Sequence, residues 1–255
     1  MTTPDVLQLE GVSRHFGGVP AVDNVSMTVR AGAITGLIGP NGAGKTTVVN
    51  LVMGLLHLSE GRVLLSGRDV SRLEAADLAR SGVARTFQNV RLVPNDTVLD
   101  NVLSGFHRHQ TAGMFANVFG LPSARAEAKR HMAEARVLLE RFQMTQFAGH
   151  RASALSYGHQ RRIEMMRALA MKPQLLLLDE PVAGMNDTEA ASLGTIFKEI
   201  AAEGVAVLLI EHNMRFVSSI CSYLYVLSSG RLISEGLPGA VLKDQKVVEA
   251  YLGAA

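Results

Sequence analysis

Cysteine is nearly absent from this 255-residue chain, where Cys221 is the only one. A single thiol excludes an intramolecular disulfide and fits a reducing compartment. Flanked by Ile220, Ser222 and Tyr223, it reads as a buried structural thiol and not a reactive one. Long apolar runs are missing too. The most apolar stretches, Leu175 to Leu178 and Val205 to Ile210, fall far short of the ~20 residues that a spanning helix needs. The opening "MTTPDVLQLE" lacks the charged region and apolar core of a signal peptide. Any membrane role is therefore expected to come through a partner. Charge of one sign is not in excess either. The net charge is +2 with the arginines scattered, which argues against nucleic acid, because backbone binding needs basic residues clustered on one face. No internal repeat, heptad or low-complexity segment is present. With 47% hydrophobic and 19% charged residues, the composition is globular, enough for one large domain or two small ones with a substantial core.

What is present is an ordered succession of patterns. Leu7 and Leu9, then Val25, Met27 and Val29, follow the period of two that marks half-exposed strands. "AITGLIGP" is a buried strand that runs into a glycine turn, and "GRVLLSGRDV" reads as two short strands about Ser66-Gly67. From about Asn89 to Arg162 the pattern becomes helical. In "AEAKRHMAEARVLLERF", Met132, Val137, Leu138 and Phe142 are expected to form the apolar stripe. The preceding "HQTAGMFANVFGLPSA" has no clear period and reads as a loop or short helix. The apolar strands "LLLLD" and "VAVLLIE" follow, with a helix between them, and then the hairpin-like "YLYVLSSGRLISEG". Strand, helix and strand in turn indicate a parallel α/β core. The expected division is a core of residues 1–88 and 166–255, interrupted by an inserted helical subdomain, 89–165.

The most specific motif is "GPNGAGKTT", Gly39 to Thr47, which fits G-x-x-x-x-G-K-[ST] with a strand before it and a helix after it. Gly39, Gly42 and Gly44 allow backbone N–H groups to turn inward around phosphate oxygens, where a side chain would obstruct them. Pro40, Asn41 and Ala43 complete the loop. Lys45 sets a cation against β- and γ-phosphates. Thr46, followed by Thr47, offers its hydroxyl to Mg²⁺ at a helix N-terminus whose dipole favours anions. This loop alone implies nucleotide binding, a property shared by kinases, GTPases and motors.

"LLLLDEP" places Asp179 at the carboxyl edge of a parallel sheet, where such folds bind ligands. Asp179 would reach Mg²⁺ through water, and Glu180 would accept a proton from an attacking water. Two acids after a strand can simply cap a turn; beside a phosphate loop, hydrolysis is the stronger reading. His212, in "VLLIEHNM", could contact a γ-phosphate or be structural. Gln88, in "ARTFQNV", could set an uncharged amide near the metal and the water.

Taken in order, the phosphate loop, Gln88, "LSYGHQRR", "LLLLDEP" and His212 resemble the ATP-binding subunit of ABC transporters over nearly the whole chain. The resemblance implies a P-loop NTPase (RecA-like) core with an N-terminal antiparallel β subdomain and an inserted α-helical subdomain. It implies ATP and Mg²⁺ as ligands, Glu180 as general base, and Asp179, Thr46 and Gln88 around the metal. His212 would fix the γ-phosphate, Phe16 in "SRHFGG" would stack on adenine, and Gln88 would link the site to a membrane permease subunit docked on the helical insert. It also implies a head-to-tail dimer with itself or a similar ATPase subunit. ATP is then sandwiched between one phosphate loop and the signature of the other chain, here Ser156 and Gly158, and the assembly lies at the cytoplasmic face of the inner membrane. Where that signature usually reads Leu-Ser-Gly-Gly-Gln, this chain has Tyr157 and His159, and Asn186 stands where an aspartate would fall.

The tyrosine in the signature, "DEPVAGMN" and the ending "AYLGAA" are similar to the ATPases of branched-chain amino acid importers. The extended segment after Gln88 looks like the longer of the two ATPases of such systems. Relatives of that subgroup also serve urea, amides and other small polar solutes, delivered by a periplasmic solute-binding protein that meets this subunit only indirectly. A lipopolysaccharide-type exporter ATPase and a soluble nucleic-acid or ribosome-associated ATPase are the rival readings. The second usually carries two nucleotide domains or a coiled-coil insertion, and this chain has neither.

Overall fold

A computed structural model describes residues 4–86, 90–109 and 121–252. Gln88 and most of "HQTAGMFANVFGLPSA" lie outside them. The chain divides into two compact units, Met1–Arg85 with Gln174–Ala255, and Thr86–Pro173.

Among the described residues the first unit holds ten strands. In chain order these are β1 (Asp5–Phe16), β2 (Val19–Arg30), β3 (Ile34–Ile38), β4 (Glu60–Leu65) and β5 (Arg68–Asp69). They continue as β6 (Val83–Arg85), β7 (Leu175–Asp179), β8 (Ala206–Ile210), β9 (Tyr223–Ser228) and β10 (Arg231–Gly236). β2-β1-β4-β5 form an antiparallel sheet, and β10-β9-β3-β8-β7-β6 form a second sheet. Its strands from β9 to β6 run parallel, and β10 closes one edge antiparallel. The period of two in β1 and β2 has the cause read from the sequence: Leu7, Leu9, Val25, Met27 and Val29 are all buried. β3, β7 and β8 are buried at every position, which is why they are continuous apolar runs and do not alternate. Cys221 is buried behind β3, and burial pushes its thiol pKa up to about 12, so it is an inert packing group.

Nine helices are described: α1 (Lys45–Val52), α2 (Ala75–Arg80), α3 (Val98–Ser104), α4 (Pro122–Arg141) and α5 (Tyr157–Ala170), then α6 (Asp187–Ala202), α7 (Met214–Ile220), α8 (Pro238–Val241) and α9 (Gln245–Leu252). Among the described residues the second unit holds α3, α4, α5 and short 3₁₀ turns. The boundary expected at 165/166 falls inside α5, and the whole helix belongs to this unit. Among the described residues no helix is long and apolar enough to cross a membrane.

The stripe expected on α4 needs correction. Ala124, His131, Ala135 and Leu139 are buried, with Phe142 just beyond, whereas Val137 is 63% exposed and Met132 and Leu138 only flank the buried face. At ~100° per residue, Val137 lies about 200° round the helix from Ala135, on the opposite face. A histidine and two alanines share the contact with Leu139, and Val137 takes no part in it. His131 stacks on Phe106 with ring centroids 4.9 Å apart. Leu139→Ala is therefore expected to destabilise the protein by about 2–5 kcal/mol, and Val137→Ala by no more than about 0.5 kcal/mol. Urea unfolding of the two variants, followed by circular dichroism, checks the difference.

Candidate functional site

The phosphate loop joins β3 to α1 and can be built only from glycine at two points. Gly39 has φ 150, and a Cβ there would lie 2.1 Å from the Leu227 carbonyl oxygen. Gly44, the N-cap of α1 at φ 101, would drive a Cβ to 2.5 Å from the Ala21 carbonyl oxygen. The Gly230 N–H donates to the Ala43 carbonyl at 3.0 Å and ties the loop to the turn after β9. No side chain caps α1, so its first-turn N–H groups are left for an anion. Thr46 is exposed in that turn.

Lys45 folds back on this loop. Its Nζ donates to the carbonyls of Gly39 at 2.7 Å and Pro40 at 2.9 Å. Burial lowers the ammonium pKa, while Glu180 and Asp179 act in the opposite direction. Both carboxylates therefore share the space around the lysine.

Sheet order explains this proximity. β3, β8 and β7 are consecutive parallel neighbours, so the phosphate loop, the Glu211-His212 turn and Asp179-Glu180 all leave the same edge. Asp179 is buried and accepts from Arg85 Nη2 at 2.7 Å, while Arg85 Nη1 donates to Asn50 Oδ1 of α1 at 2.9 Å. Arg85 thus links the last residue of β6 to the carboxylate of β7 and to the helix behind the loop. Glu180 adopts φ 47, a conformation that costs a non-glycine residue about 1–3 kcal/mol. Its N–H is held by the Ile210 carbonyl at 2.9 Å. Exposed His212 places Nδ1 3.6 Å from Glu180 Oε1.

Glu211 is almost completely buried, with Oε2 3.9 Å from His212 Nδ1. It accepts from the N–H groups of Val182 (3.2 Å), His212 (3.1 Å) and Asn213 (3.4 Å). Burial raises its pKa, and these N–H groups act against that rise. Structurally it pins the segment after Glu180 to the one carrying His212. Phe16 ends β1 half-exposed, with the Arg14 guanidinium 4.8 Å from its ring centre.

Ser156, Tyr157, Gly158 and His159 belong to the second unit. Their approach is set by α3. Thr97 caps that helix by accepting from the Asp100 N–H at 3.1 Å. The N–H groups of Val98, Leu99, Ala152 and Ser153 exchange bonds between residues 94–99 and 148–153. Ser156 stands at the N-cap of α5 with φ −60 and ψ 157, yet its hydroxyl makes no capping bond. Instead its Oγ lies 3.0 Å from His159 Nδ1, because an imidazole three residues on competes for the hydroxyl. The His159 ring rests on Phe147, centroids 4.6 Å apart. Tyr157 covers the guanidinium of buried Arg161 at 5.1 Å. A Cβ at Gly158 would meet open space. Asn186 has a local role: it caps α6, accepting from the Glu189 N–H at 2.9 Å while Glu189 accepts from the Asn186 N–H at 3.1 Å.

The structure thus brings the phosphate loop, Asp179, Glu180 and His212 to one sheet edge and places Ser156 and Gly158 on the other unit. Gln88 lies outside the described residues. Arg85, Asn50 and buried Glu211 escaped the sequence reading. The signal for Arg85 was a cation closing a short apolar strand, which gains meaning only once β6 is known to pair with β7. Among the described residues no group of three or more His, Cys, Asp or Glu could hold a metal ion. A hydroxyl and a single carboxylate are hard oxygen donors that suit Mg²⁺ shared with phosphates, since that ion commonly keeps few protein ligands.

A family model described as ABC transporter matches residues 22–183, and one described as branched-chain amino acid ATP-binding cassette transporter matches residues 231–255. The chain is 39% identical over 251 residues to the high-affinity branched-chain amino acid transport ATP-binding protein BraF of Pseudomonas aeruginosa, covering 98% of both chains. It is 38% identical to LivG, the protein of the same description from Escherichia coli K12, again with 98% of both covered. Among solved structures it is similar to the ADP conformation of MJ1267, an ATP-binding cassette of an ABC transporter. The TM-score is 0.85 at 34% identity, covering 98% of this chain and 100% of that one.

Removing Arg85 takes from buried Asp179 the guanidinium that lies 2.7 Å away. Arg85→Ala is expected to cost about 3–5 kcal/mol of stability, measured as a shift in the urea midpoint. An unchanged midpoint would show that Asp179 needs no such partner.

Proposed function

The chain belongs to the ABC transporter family and is an ATP-binding ATPase subunit, and on that premise we propose that it powers a membrane importer for branched-chain amino acids or related small polar solutes. The single observation that carries the ATPase chemistry is the meeting of Lys45, Asp179 and Glu180 at one sheet edge beside a glycine loop. The solute class is supported by the printed descriptions of relatives matching the full length and by the match of residues 231–255.

In this reading the triphosphate enters the loop and draws Lys45 from the carbonyls of Gly39 and Pro40 to its β- and γ-oxygens. Inward N–H groups from Gly42 to Thr46 bind the phosphates, and Phe16 stacks on the adenine. The Thr46 hydroxyl and Asp179 would hold Mg²⁺, which supplies charge neutralisation on the phosphates. Arg85 holds the Asp179 carboxylate in place through its 2.7 Å contact. Glu180 accepts the proton of the water that attacks the γ-phosphorus, with ADP as leaving group, and His212 donates to a γ-oxygen. Gln88 would orient that water and report occupancy to the permease.

Ser156 and the first-turn N–H groups of α5 would complete the site of a second cassette in a head-to-tail dimer. The open space at Gly158 supports this, since an anion can reach that turn without displacing protein. Two permease subunits would anchor the pair peripherally at the cytoplasmic face, with a periplasmic solute-binding protein beyond them.

Glu180→Gln tests this chemistry. It removes the base and leaves the binding groups, so ATP binding should persist while turnover falls about 100-fold or more. Size-exclusion chromatography of the variant with ATP, alone or with a paralogous subunit and permease, should show the trapped dimer. Turnover near wild type would refute the role of Glu180, and monomer under every condition would refute the sandwich.

A further inference from the structure

The pairing of β7 with β8 ends just where the reacting groups begin. Asp179 and Ile210 are the last residues in register, and one main-chain bond follows, from the Glu180 N–H to the Ile210 carbonyl at 2.9 Å. Glu180, Pro181 and Val182 then continue one segment, and Glu211, His212 and Asn213 the other. The strand ladder does not set the spacing of these six residues. Hydrolysis needs that spacing fixed, because small misplacements of groups around a reacting atom cost large factors in rate.

The buried Glu211 carboxylate bridges the two segments with one oxygen for each. Oε1 accepts from the Val182 N–H at 3.2 Å, and Oε2 accepts from the N–H groups of His212 at 3.1 Å and Asn213 at 3.4 Å. Asn213 is fixed in turn, its Oδ1 accepting from the Phe216 N–H at 3.1 Å to cap α7. The His212 side chain is 64% exposed, so packing does little to orient it. Its Nδ1 lies 3.6 Å from Glu180 Oε1 and 3.9 Å from Glu211 Oε2, so a carboxylate from each segment faces the same nitrogen. A glutamine could not make this bridge. It offers one acceptor oxygen, and its NH₂ would oppose an N–H group on one side or the other.

We propose that Glu211 is a positioning residue for ATP hydrolysis: by binding N–H groups of both segments, its carboxylate fixes the separation of Glu180 and His212. The proposal rests on the reading of Glu180 as the base and His212 as the γ-phosphate donor. Glu211 itself touches no reacting atom in this scheme. None of its bonds involves residues 39–47, so its loss should leave nucleotide affinity in place and act on the chemical step alone. Because it works through the other two residues, its effect should also disappear once either of them has been removed.

The test uses full-length chains, with a paralogous subunit and permease where turnover requires them. Glu211→Gln, Glu211→Asp, Glu180→Gln and His212→Ala are compared with wild type, and Glu211→Gln is also combined with each of the last two. Equilibrium titration gives the Kd for ATP, and single-turnover cleavage at saturating ATP gives a rate that a reduced active fraction does not change. Glu211→Gln should slow cleavage about ten- to a hundredfold while the Kd stays within about twofold of wild type. In the Glu180→Gln and His212→Ala backgrounds it should cost less than about threefold further. A merely structural role would lower the melting temperature and leave the single-turnover rate at the wild-type value, which overturns the proposal. A Kd raised as far as the rate falls, or a full additive loss in both backgrounds, overturns it too. If Glu211→Gln does not fold, Glu211→Asp decides: it keeps both oxygens at shorter reach, so cleavage should slow about three- to tenfold, and a wild-type rate refutes the role. If Glu180→Gln and His212→Ala are impaired while the Glu211 variants cleave as wild type, only the role of Glu211 falls. Wild-type cleavage by Glu180→Gln or His212→Ala removes the hydrolytic reading, and this proposal with it.

Discussion

The backbone between β3 and α1 must turn its N–H groups toward one point while main-chain carbonyls crowd it from behind. Gly39 lies so close to Leu227, and Gly44 to Ala21, that any side chain at either position would push the loop out of its curve. Those carbonyls come from β9 and from the start of β2, so the antiparallel sheet and the parallel sheet both shape the loop. The rest of the first unit follows from this constraint. β3 must be a central strand, its neighbours must run parallel to it, and whatever acts on a bound phosphate must leave the ends of β8 and β7.

Charge at that edge is managed in three ways. Lys45 satisfies its ammonium with two loop carbonyls, an arrangement that a phosphate can replace. Asp179 has a permanent partner in Arg85, 2.7 Å away. Glu211 takes three backbone N–H groups and faces no solvent, so its carboxylate serves as a structural tie. The lysine is the group free to change partners, as a binding site requires. Glu180 stands apart: its left-handed backbone is held by Ile210, and the local strain stores a specific aim for its side chain.

The second unit solves a different problem. Its helices enclose His131 and Phe106 as a stacked pair and bury Arg161 beneath Tyr157. At the start of α5, Ser156 engages His159 instead of capping the helix. Tyr157 and His159, the two departures from the common signature, are therefore explained inside this unit, by cover over an arginine and by support on Phe147. Asn186 is likewise explained by a capping box.

The sequence by itself determined the local order of events. The phosphate loop, the buried runs of β3, β7 and β8, the alternation in β1 and β2 and the turns after β4 and β9 are all set by residues near one another in the chain. Periodicity and glycine placement report such short-range geometry directly. Only the tertiary structure decided which partners those elements meet. The buried face of α4 could not be read from apolar residues alone, because a histidine stacked on a phenylalanine and two alanines share it with Leu139 while Val137 faces outward. The pairing of Arg85 with Asp179, 94 positions apart, and the meeting of Gly39 with the Leu227 carbonyl depend on strand order and packing. Those are long-range packing outcomes, in which each contact offsets a loop-closure entropy that no local pattern encodes.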